Sequence, residues 1–325
     1  MLITRTPFRI SFFGGGTDFK EYYDEFGGSV LSTSIDKYCY TTIRSLPPIF
    51  SYKSQLTYSK IERFSEVDEV NHPLVRNALK YIPTDRIQIN YDADLPASSG
   101  IGSSSSFAVG LLQALHAIHN EYPDKMTLAR EAIHLERNLC GEAGGAQDQV
   151  IAAYGGINRI NFYEDKIEVN PIITSERRLR ALRENLMLVF TGFTHFSGEV
   201  SEEQKSRIKD NLPRLHEMKE MVGVAERILM DGDFDDFGRL LNHTWELKKT
   251  LSKIITNDEI ECIYRKALEN GAVGGKLLGA GSGGFMLLYV PKENQPGIKA
   301  ALPSLRFVPF DFEKSGTQIM YEHND

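Results

Sequence analysis

Apolar and polar residues alternate enough from Leu2 to Phe13 to predict a first strand. Pro7 lacks an N–H for the ladder and predicts an edge or irregular place in that strand. Gly14-Gly-Gly-Thr-Asp18 breaks the pattern, and Phe19 to Phe26 reads as a short helix or turn. Thr, Ile, Val and Tyr enrich Ser29 to Arg44, which predicts strands around Asp36-Lys37. Residues 45–70 read as hairpins and loops, His72 to Tyr81 as a helix and Ile87 to Asp92 as a strand. Phe107, Leu111, Leu112, Leu115 and Ile118 then recur with helical spacing. A further helix spans Thr127 to Leu139. Thr127 caps it, Leu128, Ala132, Leu135 and Leu139 form its buried stripe, and Gly141 ends it. Gly141 to Asp148 is a loop of small residues, Gln147 to Ala153 a short helix, and Gly155 to Asn170 strands.

The charged stretch Ser175 to Glu184 reads as a domain boundary, and Leu186 to Phe190 as the first strand beyond it. Residues 199–253 carry a helical pattern interrupted at Pro213 and Gly232. Thr256-Asn-Asp-Glu259 has capping-box spacing and opens a helix that ends at Gly271. A glycine-rich run, Gly274 to Gly284, leads into the strand Phe285 to Val290, and Arg306 to Asp311 is the last strand. The chain has no internal repeat and no low-complexity linker.

Composition narrows the class. The 325 residues suffice for two domains with buried cores, and 41% hydrophobic with 25% charged residues is a soluble globular balance. A formal net charge of −7 without a long basic run argues against nucleic acid or an anionic membrane as partner. No apolar run approaches membrane-spanning length, and Met1 to Arg9 is too short and too charged for a signal peptide. Cys39, Cys140 and Cys262 are odd in number and far apart, which fits a reducing cytoplasm. On that ground the Asn242-His-Thr244 glycosylation triplet reads as chance. Monomer and homodimer are both compatible with the sequence.

Chemistry enters at Leu95-Pro-Ala-Ser-Ser-Gly-Ile-Gly-Ser-Ser-Ser-Ser-Phe107. Pro96, Gly100 and Gly102 supply turn geometry, and Ser103 to Ser106 supply capping hydroxyls for the helix that follows. Small side chains leave first-turn N–H groups uncovered at the positive end of the helix dipole, a site for a phosphate. The same residues would equally serve as the cap of a core helix. Other motifs fail on context. Gly279-Ala-Gly-Ser-Gly-Gly284 matches a dinucleotide fingerprint, but a strand follows the glycines where a helix is needed. Asp236-Phe-Gly238 lies in a helical region without a kinase catalytic loop, and a Walker A motif is absent.

Three glycine-rich segments stand in order: Arg5 to Asp18, Leu95 to Phe107, and Gly275 to Gly284. Together they resemble the three motifs of the GHMP small-molecule kinases, over essentially the whole chain. The resemblance implies an α+β, two-domain fold. Residues 1–183 would form a domain like ribosomal protein S5 domain 2, and residues 184–325 a ferredoxin-like one. It further implies ATP and Mg²⁺ as cofactors. Gly144-Gly-Ala-Gln-Asp-Gln149 resembles the galactokinase loop of the catalytic aspartate, which makes Asp148 the base for a sugar hydroxyl. Arg9 matches the arginine beside it and would offset charge on the transferring phosphoryl; alone it reads as a surface strand residue. Ser104 and Glu136 match the family's Mg²⁺ ligands, with Ser103 and Ser105 as neighbouring alternatives to Ser104. Ser98, Gly100, Gly102, Ser103, Ser104 and Ser105 would hold ATP, supported by Lys276 and Gly281 of the third motif.

Gly16, Thr17 and Asp18 match the sugar-binding turn of galactokinases, where a glutamate and a histidine are replaced here by Gly15 and Gly16. Loss of the acidic side chain favours a longer or phosphorylated sugar. The turn is similar to the family branch that phosphorylates the anomeric hydroxyl of a seven-carbon sugar 7-phosphate, with fucokinases next and a non-catalytic sugar sensor further off. Thr191 to Ser197 resembles a segment bordering the substrate, and His195 within it reads as a packed or surface histidine.

Overall fold

A computed structural model describes residues 1–192 and 197–323, so Phe193 to Phe196, His195 among them, lie outside the described residues. The first half runs β1 (Leu2–Phe13), α1 (Lys20–Phe26), β2 (Gly28–Ser45), β3 (Ser54–Thr57), β4 (Ile61–Phe64), α2 (Pro73–Tyr81), β5 (Ile87–Ala93), α3 (Ser103–Ile118), α4 (Lys125–Ile133), α5 (Gln147–Tyr154), β6 (Ile157–Phe162) and β7 (Ile167–Pro171). The second half runs α6 (Glu176–Glu184), β8 (Leu186–Phe190), α7 (Ser197–Ser206), α8 (Leu212–Met230), α9 (Phe234–Leu251), α10 (Asp258–Glu269), β9 (Gly274–Leu277), β10 (Phe285–Tyr289), α11 (Gln295–Ala301), β11 (Arg306–Val308) and β12 (Gln318–Glu322).

Ser29 to Arg44 is one continuous strand with an irregularity where strands around Asp36-Lys37 were expected. In its pairing with β1, Pro7 faces Tyr38 and Phe8 faces Ile35, so Asp36 and Lys37 form a bulge. Pro7 thus sits at the irregular position that its missing N–H demands. The bulge divides the other edge of β2: residues 28–33 pair with β6 and residues 39–45 with β5. The large sheet has the order β12-β1-β2-β5-β3-β4, with β6 and β7 branching from β2.

The smaller sheet has the order β11-β8-β10-β9, all antiparallel. Numbered within the second half, that order is 4-1-3-2 with helices after its first and third strands, the ferredoxin-like arrangement. Four elements were not foreseen: the charged stretch read as a boundary is helix α6, α11 lies between the last two expected strands, and two strands were missed. Gly274–Leu277 is a strand despite its glycines, and β12 follows Arg306–Val308 as the last strand. Because β12 pairs antiparallel with β1, the end of the chain joins the large sheet, and residues 184–325 do not all lie with the small one.

One core lies between the large sheet and α2 to α5, around Val30, Ile43, Leu111, Leu115 and Val150. Another joins the halves: Phe8, Ile10, Phe12 and Phe13 pack with Val222, Phe237 and Leu287. Phe12 and Phe13 each meet the Phe237 ring edge-on, with centroids 5.3 and 5.0 Å apart. That apolar seam holds β1, which carries Arg9, against the second half.

Candidate active site

The cleft between the two halves encloses about 410 Å³ and is lined by all three glycine-rich segments. At its centre Arg9 donates from Nε and Nη2 to the two oxygens of Asp148, at 2.7 and 2.6 Å. Arg9 is only 5% exposed, far from the surface residue that its strand position suggested. Its Nη1 donates to the Gly100 carbonyl, so one guanidinium ties the Asp148 loop to the serine-rich loop. This forked, charge-assisted geometry fixes the carboxylate more tightly than a single contact would.

Gly100 must itself be glycine. Its φ of +80° is left-handed, and a Cβ there would fall 2.6 Å from the Leu278 carbonyl oxygen. The serine-rich loop is thereby pressed onto the third glycine segment. Phe285 N also donates to the Ser99 carbonyl at 2.9 Å. Helix α3 then begins after Gly102 with no side-chain cap. The serine hydroxyls expected there are committed elsewhere: Ser104 and Ser105 donate to Glu136 at 2.8 and 2.7 Å, and Ser106 to the Pro7 carbonyl. No side chain caps the first turn, and Gly102 to Ser105 line the cleft, which suits an anion there.

Glu136 is 1% exposed, not a solvated helix glutamate. It is brought inward by a π-helical turn, His134–Leu139, that continues α4. The wider turn also shifts the stripe behind it, which is why Leu139, expected in the core, is 40% exposed. At the other end of α4, Asp124 and not Thr127 is the cap, accepting from Thr127 N. The capping-box expectation for α10 moves likewise by one residue, to Asn257, which accepts from Ile260 N. Three neutral donors surround the Glu136 carboxylate, namely Ser104, Ser105 and Gln149, and among the described residues no cation pairs with it.

Asp18 is buried beside Asp148. Its oxygens accept from Gly16 N at 3.0 Å and Gln147 N at 3.2 Å, and burial, with Asp148 nearby, pushes its carboxyl above the usual range. The loop of small residues follows from this contact: a Cβ on Gly145 would lie 1.9 Å from Asp18 Oδ2. Gly16 lines the cleft, but Thr17 does not. Thr17 is fully buried, with its hydroxyl 2.8 Å from the Gly14 carbonyl and 2.9 Å from the Ser29 carbonyl, so it holds the turn and touches no ligand space. Gly281 also lies off the lining. It packs on Ile255, while Gly279 and Ala280 face the cleft. Ser98, Ser103 and Lys276 do line it.

Sequence reasoning missed Lys248, Ser11 and Gln147, all lining residues. Lys248 is 7% exposed and donates to the Leu277 and Gly279 carbonyls at 3.0 and 2.6 Å. Burial, then Lys276 and Arg9, depress its pKa well below that of a free lysine. A signal for it existed: it falls on the same helical stripe as Phe237, Leu241, Thr244 and Leu251, where a lysine has no business unless bonded. Tyr58, His72, Tyr91 and Phe107 form an aromatic cluster at the cleft, the Tyr91 and Phe107 rings 4.5 Å apart.

A helix start without a side-chain cap, beside a carboxylate held by an arginine, is an arrangement that suits phosphoryl transfer to a hydroxyl. Residues 72–156 match the GHMP kinases N terminal domain and residues 221–305 the GHMP kinases C terminal region, so the chain belongs to the GHMP kinase family. It is 32% identical to a D-glycero-alpha-D-manno-heptose 7-phosphate kinase of Campylobacter jejuni, with 97% of each chain covered. It is 28% identical to a bifunctional fucokinase/GDP-fucose pyrophosphorylase of Arabidopsis thaliana, over 87% of this chain and 29% of that protein. In fold it resembles the crystal structure of a D-glycero-D-manno-heptose 1-phosphate kinase from Bacteroides thetaiotaomicron, with a TM-score of 0.82, 24% identity and both chains fully covered. As a member of that family the protein is an ATP-dependent kinase with an alcohol group as acceptor. Among the described residues, no helix is long and apolar enough to cross a membrane.

Proposed function

We propose that the protein transfers the γ-phosphoryl of ATP to the anomeric C1 hydroxyl of D-glycero-D-manno-heptose 7-phosphate, giving the 1,7-bisphosphate and ADP. The acceptor rests on the 32% identity to a heptose 7-phosphate kinase along 97% of both chains. The reaction rests on the Arg9–Asp148 pair beside the uncovered start of α3. The C1 hydroxyl gives its proton to Asp148 as its oxygen bonds to the γ-phosphorus, and the bond from that phosphorus to the ADP oxygen breaks. Arg9 holds Asp148 in place and faces the charge that spreads over the transferring group. Asp18 orients the sugar through its hydroxyls, while the first-turn N–H groups of α3 receive the nucleotide phosphates. The Tyr91 and Phe107 rings, tilted against each other at the cleft, offer an apolar wall for the base.

Glu136 and Ser104 would hold Mg²⁺. A buried carboxylate with a hydroxyl beside it is a hard-oxygen pair, and among the described residues no larger cluster of His, Cys, Asp or Glu competes with it. Such a pair suits an ion that keeps most of its waters. When bound, the ion neutralises charge on the nucleotide phosphates.

The test is ADP formation with heptose 7-phosphate, fucose, galactose and mannose as acceptors. The heptose phosphate should give the highest kcat/KM. Faster turnover of unphosphorylated fucose would leave a sugar 1-kinase with the wrong acceptor assigned.

A further inference from the structure

Beside Gly15 the cleft contains a group of donors that the reaction above does not use. Gly15 has no left-handed φ, and a Cβ built on it would have Ser11 Oγ and Gln147 Nε2 as nearest neighbours, each 3.8 Å away. Ser11 is 6% exposed, and its buried hydroxyl has no hydrogen-bond partner. Gln147 is fixed from its other end, since Oε1 accepts from Ser32 Oγ at 3.2 Å, which leaves Nε2 toward the cleft. Lys276, 3% exposed, reaches the carbonyl of the next residue along β1, Phe12, at 2.9 Å. That bond uses one of its three N–H donors. Among the described residues it has no carboxylate partner, and neither does its neighbour Lys248.

A buried ammonium without a counter-ion is costly, and an orphaned buried hydroxyl adds to the cost. Both costs disappear if an anion with several acceptor oxygens occupies the space. The end of a plain sugar offers hydroxyls, which a carboxylate at position 15 would recognise. Glycine there, with Ser11 Oγ and Gln147 Nε2 beside it and Lys276 lining the same cleft, selects a phosphate instead.

We propose that Lys276, Ser11 and Gln147, around the open space beside Gly15, form the subsite that receives the distal phosphate of the acceptor sugar. This rests on the reading of the acceptor as a sugar phosphate. Lys276 then belongs to the acceptor end of the cleft and not to the nucleotide end. Burial, with Arg9 nearby, lowers its pKa to about 7, against a smaller raising effect of Asp18. The subsite is therefore poised to take up a proton as a dianionic phosphate arrives.

The experiment compares kcat/KM for heptose 7-phosphate with that for unphosphorylated heptose, in wild type and two variants. Lys276→Met keeps the volume and removes the charge, and Gly15→Glu introduces a carboxylate without backbone strain. Wild type should favour the phosphorylated sugar, and each variant should reduce that ratio about 30- to 100-fold, mostly through KM, as expected for loss of a charge-assisted contact. If the wild-type preference exists but both sugars slow in parallel in both variants, Lys276 serves the nucleotide or the fold and the subsite is refuted. If wild type shows no preference for the phosphorylated sugar, the acceptor reading fails, and the subsite with it.

Discussion

Replacing Asp148 by asparagine separates what the carboxylate does chemically from what it does structurally. The side chain keeps its shape and one acceptor oxygen, so Arg9 retains one of its two contacts at 2.6–2.7 Å. The other contact and the negative charge are lost, which leaves the nearly buried Arg9 short of a counter-charge. Breaking a fully buried ion pair costs about 3–5 kcal/mol. Here the cost should be smaller, about 1–3 kcal/mol, because the Asp148 side chain is 20% exposed and Arg9 keeps the Gly100 carbonyl. The chemical loss should be larger. Removal of a general base costs about 10²–10⁴ in rate, or about 3–5.5 kcal/mol of barrier. The assay is single-turnover phosphoryl transfer by rapid quench, with ADP affinity and the urea midpoint measured on the same preparation. The expected pattern is a folded protein with near-normal ADP affinity and a transfer rate lower by two to four decades. A transfer rate close to wild type would refute Asp148 as the base, and a lost ADP affinity would show that it acts through the loop it anchors.

Two other perturbations probe the surroundings. Glu136→Gln preserves hydrogen-bonding shape beside Ser104, Ser105 and Gln149 but removes the charge; it should raise the Mg²⁺ concentration needed for half-maximal activity at least about tenfold while leaving the fold intact. An unchanged Mg²⁺ titration would remove Glu136 from the metal site. Lys276 supplies a pH test of stability. Its pKa falls from 10.5 to about 7 on folding, with Arg9, Asp18 and Lys248 around it, so between those values the unfolded chain holds a proton that the folded one lacks. Unfolding then takes up a proton, and stability rises with pH across that window, by at most about 1.4 kcal/mol per pH unit. Relative to Lys276→Met, the wild type should gain up to about 2 kcal/mol between pH 7.5 and 9, by urea denaturation. Parallel stability profiles would mean that Lys276 keeps its proton.

Much of this arrangement is legible in the residues. The alternation of β1, the helical stripe of α3 and the turn Gly14 to Asp18 are local patterns, and local patterns decide those elements. What could not be read depends on the tertiary partner. The hydroxyls of Ser104 and Ser105 look like caps until Glu136 is seen opposite, and Glu136 looks solvated until the π turn rotates it inward. Thr17 stands beside Asp18, the proposed sugar contact, in sequence, yet its side chain points into the turn. Lys248 belongs to no motif, and Ser11 and Gln147 stand inside matched segments without a role of their own there. They become a site only because the apolar seam of Phe12, Phe13 and Phe237 brings β1 against α9 and β9. Strand β12 was hidden because a short half-exposed edge strand carries little apolar signal.

The most direct test of the account is the structure of the product formed from ATP and D-glycero-D-manno-heptose 7-phosphate, read by ³¹P–¹H correlation. The account predicts a sugar bisphosphate in which the new phosphorus couples to the anomeric proton. A new phosphate on any other carbon, or ATP consumed only when an unphosphorylated sugar is supplied, would contradict it.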